Sequence, residues 1–300
     1  MNNTRRLLLV SSLALAFLSH GTATATEKIP VTASFSILGD LVHVVGGDRV
    51  TVTTLVGPNE DAHSFEPKPA DAKAILSTRL LVINGLGFEP WVQKLARSAG
   101  YKGETLVASK GVFGRSMKDE KGHAEQDPHA WQAPQNVVLY VRNIAAGLSR
   151  VDAAGAATYQ ANADAYVKEL QTLDTWTQEQ FSAIPDARRK VITSHDAFGY
   201  FAAQYRIKFL APQGVSTDAE PSAKQVAQLI KQIQREKIRA VFVENMSNPK
   251  LIEQLSKDAG ATVGASLYSD ALSAADQPGA TYLQMMRHNV TQLAVGMKLN

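Results

Sequence analysis

The sequence predicts an α/β protein with two (β/α)-type lobes joined by a long, rigid helix. Short apolar segments of strand-like composition alternate with longer amphipathic segments, and this alternation is typical of a parallel sheet covered by helices. The alternation occurs twice along the chain. An alanine-rich stretch over residues 153–181 separates the two runs and contains no glycine after Gly155. We therefore expect each run to form its own lobe.

In the first run, the strand-like segments are rich in valine, threonine and leucine, and residues that favour turns follow them. Strands are predicted at residues 30–35, 50–56 and 80–83. Helices are predicted at residues 37–45, 69–77 and 134–149, with a further helix that contains Trp91. Gly46 and Gly47 end the first of these helices, since glycine is favoured just beyond a helix.

The stretch over residues 153–181 is predicted to be one helix, because its large apolar side chains fall on one face at helical spacing. We expect that face to be core: Tyr159, Tyr166, Leu170, Leu173 and Trp176.

The second run predicts strands at residues 190–193, 238–243 and 261–267. It predicts helices at residues 197–205, 222–236, 249–259 and 281–297. The expected division is a signal peptide (residues 1–25), an N-terminal lobe (26–150), a linking helix (151–184) and a C-terminal lobe (185–300).

The N-terminal segment is typical of a secretory signal peptide. Arg5 and Arg6 precede an apolar run over residues 7–17 that is too short to anchor the chain in a bilayer. Ala23-Thr24-Ala25 fits a cleavage site, so we expect the mature chain to begin near Thr26. The ordinary secretory route is favoured over twin-arginine export, because paired arginines are common in such segments.

Composition narrows the class of protein further. The 300 residues include no cysteine, which excludes disulfides, thiolate metal ligands and a lipid anchor on an N-terminal cysteine. We therefore expect a protein that is not membrane-anchored and that a Gram-negative periplasm retains. We also expect it to be a monomer. The formal charge is +3 and no basic stretch is sustained, so nucleic acid is not an expected partner.

Three histidines lie in separate segments that are predicted to be loops. They are His63, His129 and His195, and Asp270 is a fourth candidate ligand. Three of these four residues follow a predicted strand, and in open α/β sheets ligands bind beyond the carboxyl ends of strands. Three imidazoles and one carboxylate suit a four-coordinate divalent metal ion. We predict a metal site in the cleft between the lobes, with two ligands from each side.

Acidic residues accompany two of these histidines. Asp127 could accept a hydrogen bond from the ring nitrogen of His129 that faces away from a metal, and Asp196 follows His195 directly. By contrast, a lone histidine is more often a surface residue than a ligand. Two histidines are expected to be ordinary helix residues: His43 and His288.

The charged segment over residues 117–127 is predicted to be a mobile loop. His123, with Asp119, Glu120 and Glu125, could capture a metal loosely, although a solvated loop is the better interpretation. No dinucleotide fingerprint, P-loop, G-x-S-x-G or H-E-x-x-H motif occurs in the sequence.

Five segments resemble, in order, the zinc- and manganese-specific solute-binding proteins of bacterial ABC importers, also called cluster A-I. They are ASFSILGD at residues 33–40, GPNEDAHSFEP at 57–67, NGLGFEPW at 84–91, DPHAW at 127–131 and SHDAFGYF at 194–201. The resemblance implies two lobes, a rigid linking helix and a metal between the lobes. It also implies that the ligands are His63, His129, His195 and Asp270.

In this family the third ligand is a glutamate in some members and a histidine in others, and here it is His195. The additional nitrogen favours Zn²⁺ over Mn²⁺. Many zinc-binding members carry a long histidine-rich loop before the second ligand, whereas this chain has the short acidic loop with His123. Mn²⁺ and Fe²⁺ are therefore retained as alternative transported metals.

The resemblance implies delivery of a metal ion and no catalysis. The protein would bind periplasmic metal and pass it to an inner-membrane permease driven by an ATPase partner, and a metallochaperone could load it. With neutral imidazoles and one carboxylate as ligands, we expect the loaded site to stay formally cationic.

Two alternatives remain open from the sequence. One is an exported zinc hydrolase in which water replaces Asp270 and either Glu60 or Glu66 is the base. The other is a metal buffer or surface adhesin that works without a permease.

Overall fold

The computed structural model describes residues 27–118 and 124–300. The predicted signal peptide and its cleavage site therefore lie outside the described residues, as does His123. Within the described ranges, no helix has the length and apolar character needed to cross a membrane.

The first lobe is built on a parallel sheet in the order β2-β1-β3-β4. Its strands are β1 (Ile29–Phe35), β2 (Val50–Val56), β3 (Leu80–Ile83) and β4 (Glu104–Val107). The helices between them are α1 (Ser36–Gly46), α2 (Pro69–Ser77) and α3 (Pro90–Ala99). The strands and helices predicted for this sheet are confirmed. Strand β4 is present as well, although it was not predicted. That strand lies at the sheet edge with a mixed, partly exposed sequence, so it lacks the apolar pattern of a buried strand.

A β-hairpin occupies part of the segment that was predicted to be a loop. Strand β5 (Arg115–Lys118) pairs antiparallel with β6 (Ala124–Asp127). The loop prediction for residues 117–127 is therefore wrong at both ends. Backbone pairing stabilises these polar strands, and Arg115 also donates its backbone N–H to the hydroxyl of Tyr200 in the second lobe. Charged composition gives no sign of either contact.

Two long helices follow the hairpin, α4 (Pro134–Val151) and α5 (Ala156–Ser182). The predicted linking helix is confirmed over 27 residues of α5 and begins after a short 3₁₀ turn. Its predicted core face is buried at Tyr159, Tyr166, Leu170 and Leu173. Trp176 is partly buried against the same core. Helix α5 packs against α1 and α4 of the first lobe and against α9 of the second, so it contacts both lobes.

The second lobe contains a parallel sheet in the order β10-β9-β7-β8. Its strands are β7 (Lys190–Ile192), β8 (Lys208–Leu210), β9 (Ala240–Val241) and β10 (Thr262–Val263). Its helices are α6 (Gly199–Tyr205), α7 (Ala223–Glu236), α8 (Lys250–Ala259) and α9 (Tyr282–Met297).

The strands predicted at residues 238–243 and 261–267 are shorter than expected. Regular pairing stops after two residues in each, and an isolated bridge between Glu244 and Leu267 continues the contact. In the first segment apolar side chains continue beyond the ladder with the buried Phe242, whereas in the second segment residues 264–266 are exposed and only Leu267 is buried again. Strand β8 was not predicted, since its three residues are only partly buried.

One apolar core runs through both lobes and includes residues of α1, α4, α5 and α9. Parallel strands all end at the same edge of their sheet, so the segments after β2, β7 and β10 meet between the two lobes. His63, His195 and Asp270 lie in these three segments.

Candidate metal centre

The structure brings together all four residues that the sequence predicted to be ligands. His63, His129, His195 and Asp270 each offer an atom of a kind that binds metals, and these atoms lie within 4.8 Å of one another. The Nε2 atoms of His63 and His129 are 3.2 Å apart. Asp270 Oδ2 lies 3.3 Å from His63 Nε2 and 3.0 Å from His195 Nε2. Asp270 Oδ1 lies 3.6 Å from His129 Nε2.

Two of the ligand loops use the same local arrangement, Asp-x-His. In the first, Asp61 Oδ1 accepts the backbone N–H of His63 at 2.8 Å. In the second, Asp127 Oδ1 accepts the backbone N–H of His129 at 3.0 Å. An aspartate that accepts from the residue two positions on forms a tight turn. Each turn therefore sets the direction in which its histidine leaves the backbone.

The ring of His129 is oriented by the acid that the sequence indicated. Asp127 Oδ1 lies 3.0 Å from His129 Nδ1, and both side chains are fully buried. A proton on Nδ1 donates to this carboxylate, so the lone pair of Nε2 faces the cluster. Arg115 Nε, 3.4 Å from Asp127 Oδ2, balances part of the negative charge.

The ring of His195 is oriented by Glu244, which the sequence analysis did not identify. Glu244 Oε2 lies 2.6 Å from His195 Nδ1, and Oε1 accepts the backbone N–H of His195 at 2.9 Å. The sequence neighbour Asp196 does not have this role, and its backbone N–H donates to the carbonyl of Gly214. Glu244 directly follows a predicted strand, and that position was the available signal.

Asp270 is positioned through the backbone of the preceding residue, Ser269. The side chains of Trp131 and Gln132 both donate to the carbonyl of Ser269, at 2.9 and 2.7 Å. Asp270 Oδ2 and His195 Nε2 are 3.0 Å apart, yet among the described residues neither atom makes a hydrogen bond, and Asp270 Oδ1 makes none either. These buried atoms are therefore close together without being aligned for hydrogen bonds to one another. Such a set of nitrogen and oxygen donors fits a divalent metal ion.

In the absence of metal, the ionisation of the site is shifted strongly. Burial opposes a charged His129, but the Asp270 and Asp127 carboxylates outweigh it and raise the pKa of His129 to about 9. Burial likewise opposes a charged His195, while Glu244 and Asp270 raise its pKa well above the ordinary value. Burial would raise the pKa of Asp270, but the two histidines lower it well below its usual range. The site therefore favours bound positive charge.

Further charged groups surround the four predicted ligands. The buried carboxylates of Asp127 and Glu244 each contact a histidine of this set, and the Arg115 guanidinium lies against Asp127. With neutral imidazoles, a divalent ion and the Asp270 carboxylate would still sum to a positive charge. The two added carboxylates and Arg115 would bring the whole cluster to neutrality.

The other residues considered from the sequence lie elsewhere. His43 is exposed, and the partly exposed His288 has its Nε2 2.8 Å from the carbonyl oxygen of Ser266. Glu60 is exposed and accepts the backbone N–H of Gly57 at 2.7 Å, and Glu66 is exposed as well. Among the described residues, neither glutamate belongs to the cluster of potential metal ligands.

A buried set of three imidazoles and one carboxylate between two parallel-sheet lobes defines a class of protein, a two-lobed α/β metal-binding protein. Comparison with known proteins agrees with this class. Residues 31–296 match the family model described as ZnuA, zinc-uptake complex component A, periplasmic. The chain belongs to this family, the cluster A-I metal-binding solute-binding proteins of ABC importers.

Individual relatives bind different metals according to their names. The chain is 31% identical over 277 residues to the manganese-binding lipoprotein MntA of Halalkalibacterium halodurans, covering 92% of this chain and 91% of that protein. It is 30% identical over 300 residues to the metal ABC transporter substrate-binding lipoprotein ScbA of Streptococcus cristatus, covering 97% of both.

Among solved structures, the periplasmic zinc-binding protein TroA of Treponema pallidum superposes with a TM-score of 0.85 at 26% identity. The match covers 90% of this chain and 99% of that one. The fold prediction is thereby confirmed. The chain is the metal-binding component of an ABC importer and not an enzyme.

Proposed function

We propose that this protein captures Zn²⁺ in the periplasm and delivers it to the permease of an ABC importer. The ligands are Nε2 of His63, His129 and His195 and the carboxylate of Asp270. The observation that carries the proposal is the spacing of these atoms. Four of the separations run from 3.0 to 3.6 Å, and all the candidate ligand atoms lie within 4.8 Å of one another. A tetrahedron with metal–ligand bonds of about 2.0–2.1 Å has edges of about 3.3 Å, so the spacing suits tetrahedral zinc.

The chemistry of the donors supports zinc over the alternatives. Imidazole nitrogen suits Zn²⁺, whereas Mn²⁺ prefers carboxylate, carbonyl and water oxygens in octahedral sites. The described residues supply three nitrogens and one carboxylate within ligand distance of one another. Uptake of Mn²⁺ or Fe²⁺ by the same mechanism is the alternative, since the manganese-binding MntA is a relative.

We propose that the chain divides into a first lobe of residues 26–150, a linking helix of residues 151–184 and a second lobe of residues 185–300. This assignment is supported by the two sheets, of which the first ends with β4 and the second begins with β7. Because α5 packs against helices of both lobes, large hinge motions are disfavoured. Release would then depend on loops and small lobe displacements.

The test is a competitive titration of the metal-stripped protein with zinc against manganese at equilibrium. We expect a one-to-one zinc complex that a 100-fold excess of Mn²⁺ does not displace, and the His288→Ala variant should behave identically. Equal or tighter manganese binding would transfer the proposal to manganese uptake. Absence of tight binding of either metal would reject the four-residue site.

A further inference from the structure

A hydrogen bond joins the His63 loop of the first lobe to the second lobe. Thr217 Oγ1 donates to Asp61 Oδ2 at 2.6 Å. The other oxygen of the same carboxylate accepts the backbone N–H of His63 at 2.8 Å. One carboxylate therefore connects a proposed metal ligand to a residue of the opposite lobe.

The second-lobe partner belongs to a segment, residues 213–217, that we call the bridging segment. This segment is also tied to the His195 loop. The backbone N–H of Asp196 donates to the carbonyl of Gly214 at 3.0 Å, and the backbone of Gln213 forms an isolated parallel bridge with His195. The bridging segment thus contacts one proposed ligand loop from each lobe.

His63 is the proposed ligand nearest to solvent. Its side chain is 5% exposed, whereas those of His129, His195 and Asp270 are fully buried. It lines a surface pocket of about 220 Å³ together with Phe88, and with residues of the second lobe that include Val215. An ion that leaves the site along this pocket passes His63 first.

A second surface pocket of about 340 Å³ lies beside the first, and both Asp61 and Thr217 line it. Ser216 and Asp218, the chain neighbours of Thr217, line the pocket beside His63. The hydrogen bond between Asp61 and Thr217 therefore lies in the lining of the second pocket, and the chain neighbours of Thr217 continue into the lining of the pocket beside His63.

His63 differs from the other two histidines in what orients its ring. His129 and His195 each have a carboxylate against Nδ1. Within residues 27–118 and 124–300, no carboxylate makes such a contact with Nδ1 of His63. Its position is set through the backbone, by the turn that Asp61 forms.

We propose that the Asp61–Thr217 hydrogen bond is an interlobe latch that sets the rate of metal release, and that His63 is the first ligand to leave. This inference rests on the proposed function. When Thr217 withdraws, the Asp61 turn and the His63 loop lose their tie to the second lobe. His63 can then move away from the ion, while His129, His195 and Asp270 remain buried beneath it.

The test is stopped-flow release of zinc from the one-to-one complex into an excess of a colorimetric chelator. We expect Thr217→Val to release zinc about tenfold faster, because it removes a hydrogen bond to a charged group. Thr217→Ser keeps the hydroxyl and should restore the wild-type rate. Thr175→Val is the matched control, because that hydroxyl bonds within the exposed face of α5.

A second pair of variants tests whether the latch acts through His63. In a His63→Ala background, Thr217→Val should leave the release rate unchanged, because the ligand that the latch holds is gone. Thermal melting of each metal-free variant verifies that it folds. Wild-type release from Thr217→Val would overturn the latch alone, as would equal acceleration in both backgrounds. A wild-type protein that holds no zinc would overturn the proposed site and the latch with it.

Discussion

Glu244 holds His195 at two points, with one carboxylate oxygen 2.6 Å from Nδ1 and the other accepting the backbone N–H at 2.9 Å. The carboxylate places its negative charge against the Nδ1 side of the ring, and the backbone hydrogen bond holds the residue, so that Nε2 faces Asp270. Its carboxylate is buried. Glu244 comes directly after residues 238–243, the predicted strand that contains β9. Glu244, like Asp127, is therefore a buried acid of the site that contacts a ligand histidine without being one of the four proposed ligands.

Glu244→Gln is expected to weaken zinc binding about 10- to 100-fold, as is typical when an acid that orients a histidine ligand is lost. The amide removes the negative charge that makes the imidazole a stronger ligand. Competitive titration against a calibrated chelator measures the change. Glu253→Gln on the exposed face of α8 is the control. Equal affinities for the two variants would show that Glu244 does not support the metal.

His63→Ala is expected to reduce zinc affinity by at least about 100-fold, because it removes one of four metal–ligand bonds. The fold should be retained, since the side chain lies at the edge of the cleft. Zinc titration and thermal melting of the metal-free variant measure the two properties. His288→Ala, which removes a histidine outside the site, should change neither of them. Wild-type zinc affinity in His63→Ala would contradict the ligand assignment.

Zinc affinity is expected to rise with pH between about 7 and 9. In the metal-free protein the pKa of His129 is about 9, so zinc must displace its proton throughout this range. Calorimetry in buffers of different ionisation enthalpy counts the protons released. Because the pKa of His195 is also raised, one to two protons are expected at pH 7. Zinc binding without proton release would contradict the proposed ionisation.

The same shift predicts how the stability of the metal-free protein depends on pH. The pKa of His129 is higher in the folded state than its unfolded value of 6.5. Its contribution to stability is therefore complete below pH 6.5 and is lost as the pH rises through about 9. The melting temperature of the metal-free protein should fall over this range, while the increase caused by zinc should grow. A constant zinc-induced increase would argue against the shift.

Leu170→Ala in α5 is expected to lower the free energy of unfolding by about 2–5 kcal/mol, since the side chain is 1% exposed. Leu76→Ala is the matched control, because Leu76 is 54% exposed and the change should stay within about 0.5 kcal/mol. Urea denaturation monitored by circular dichroism measures both. Similar losses for the two variants would contradict the packing of α5.

Much of the fold was predictable because each apolar segment has a clear period. The limits of α2 and β3 agree with the prediction to the residue. Helix α2 begins at Pro69, a residue favoured in the first turn of a helix, and β3 is a short run of buried apolar residues. The edge strands β4 and β8 were missed, because an exposed edge does not require apolar side chains. The β5–β6 hairpin was missed because backbone pairing, which composition does not encode, stabilises it.

The four proposed ligands were predictable because each lies in a short segment with a distinctive neighbour or follows a strand. Glu244 was not, because its partner His195 is 49 positions away and only the fold brings them together. The same holds for Thr217, which meets Asp61 across 156 positions. Contacts between lobes depend on tertiary structure and leave no local pattern in the sequence.

The most direct measurement of the central claim is a crystal structure of the zinc-loaded protein with anomalous data at the zinc edge. We predict one anomalous peak at about 2.0–2.2 Å from Nε2 of His63, His129 and His195 and from a carboxylate oxygen of Asp270. A peak elsewhere, or a zinc ion with water in place of one of these four residues, would contradict the proposed site.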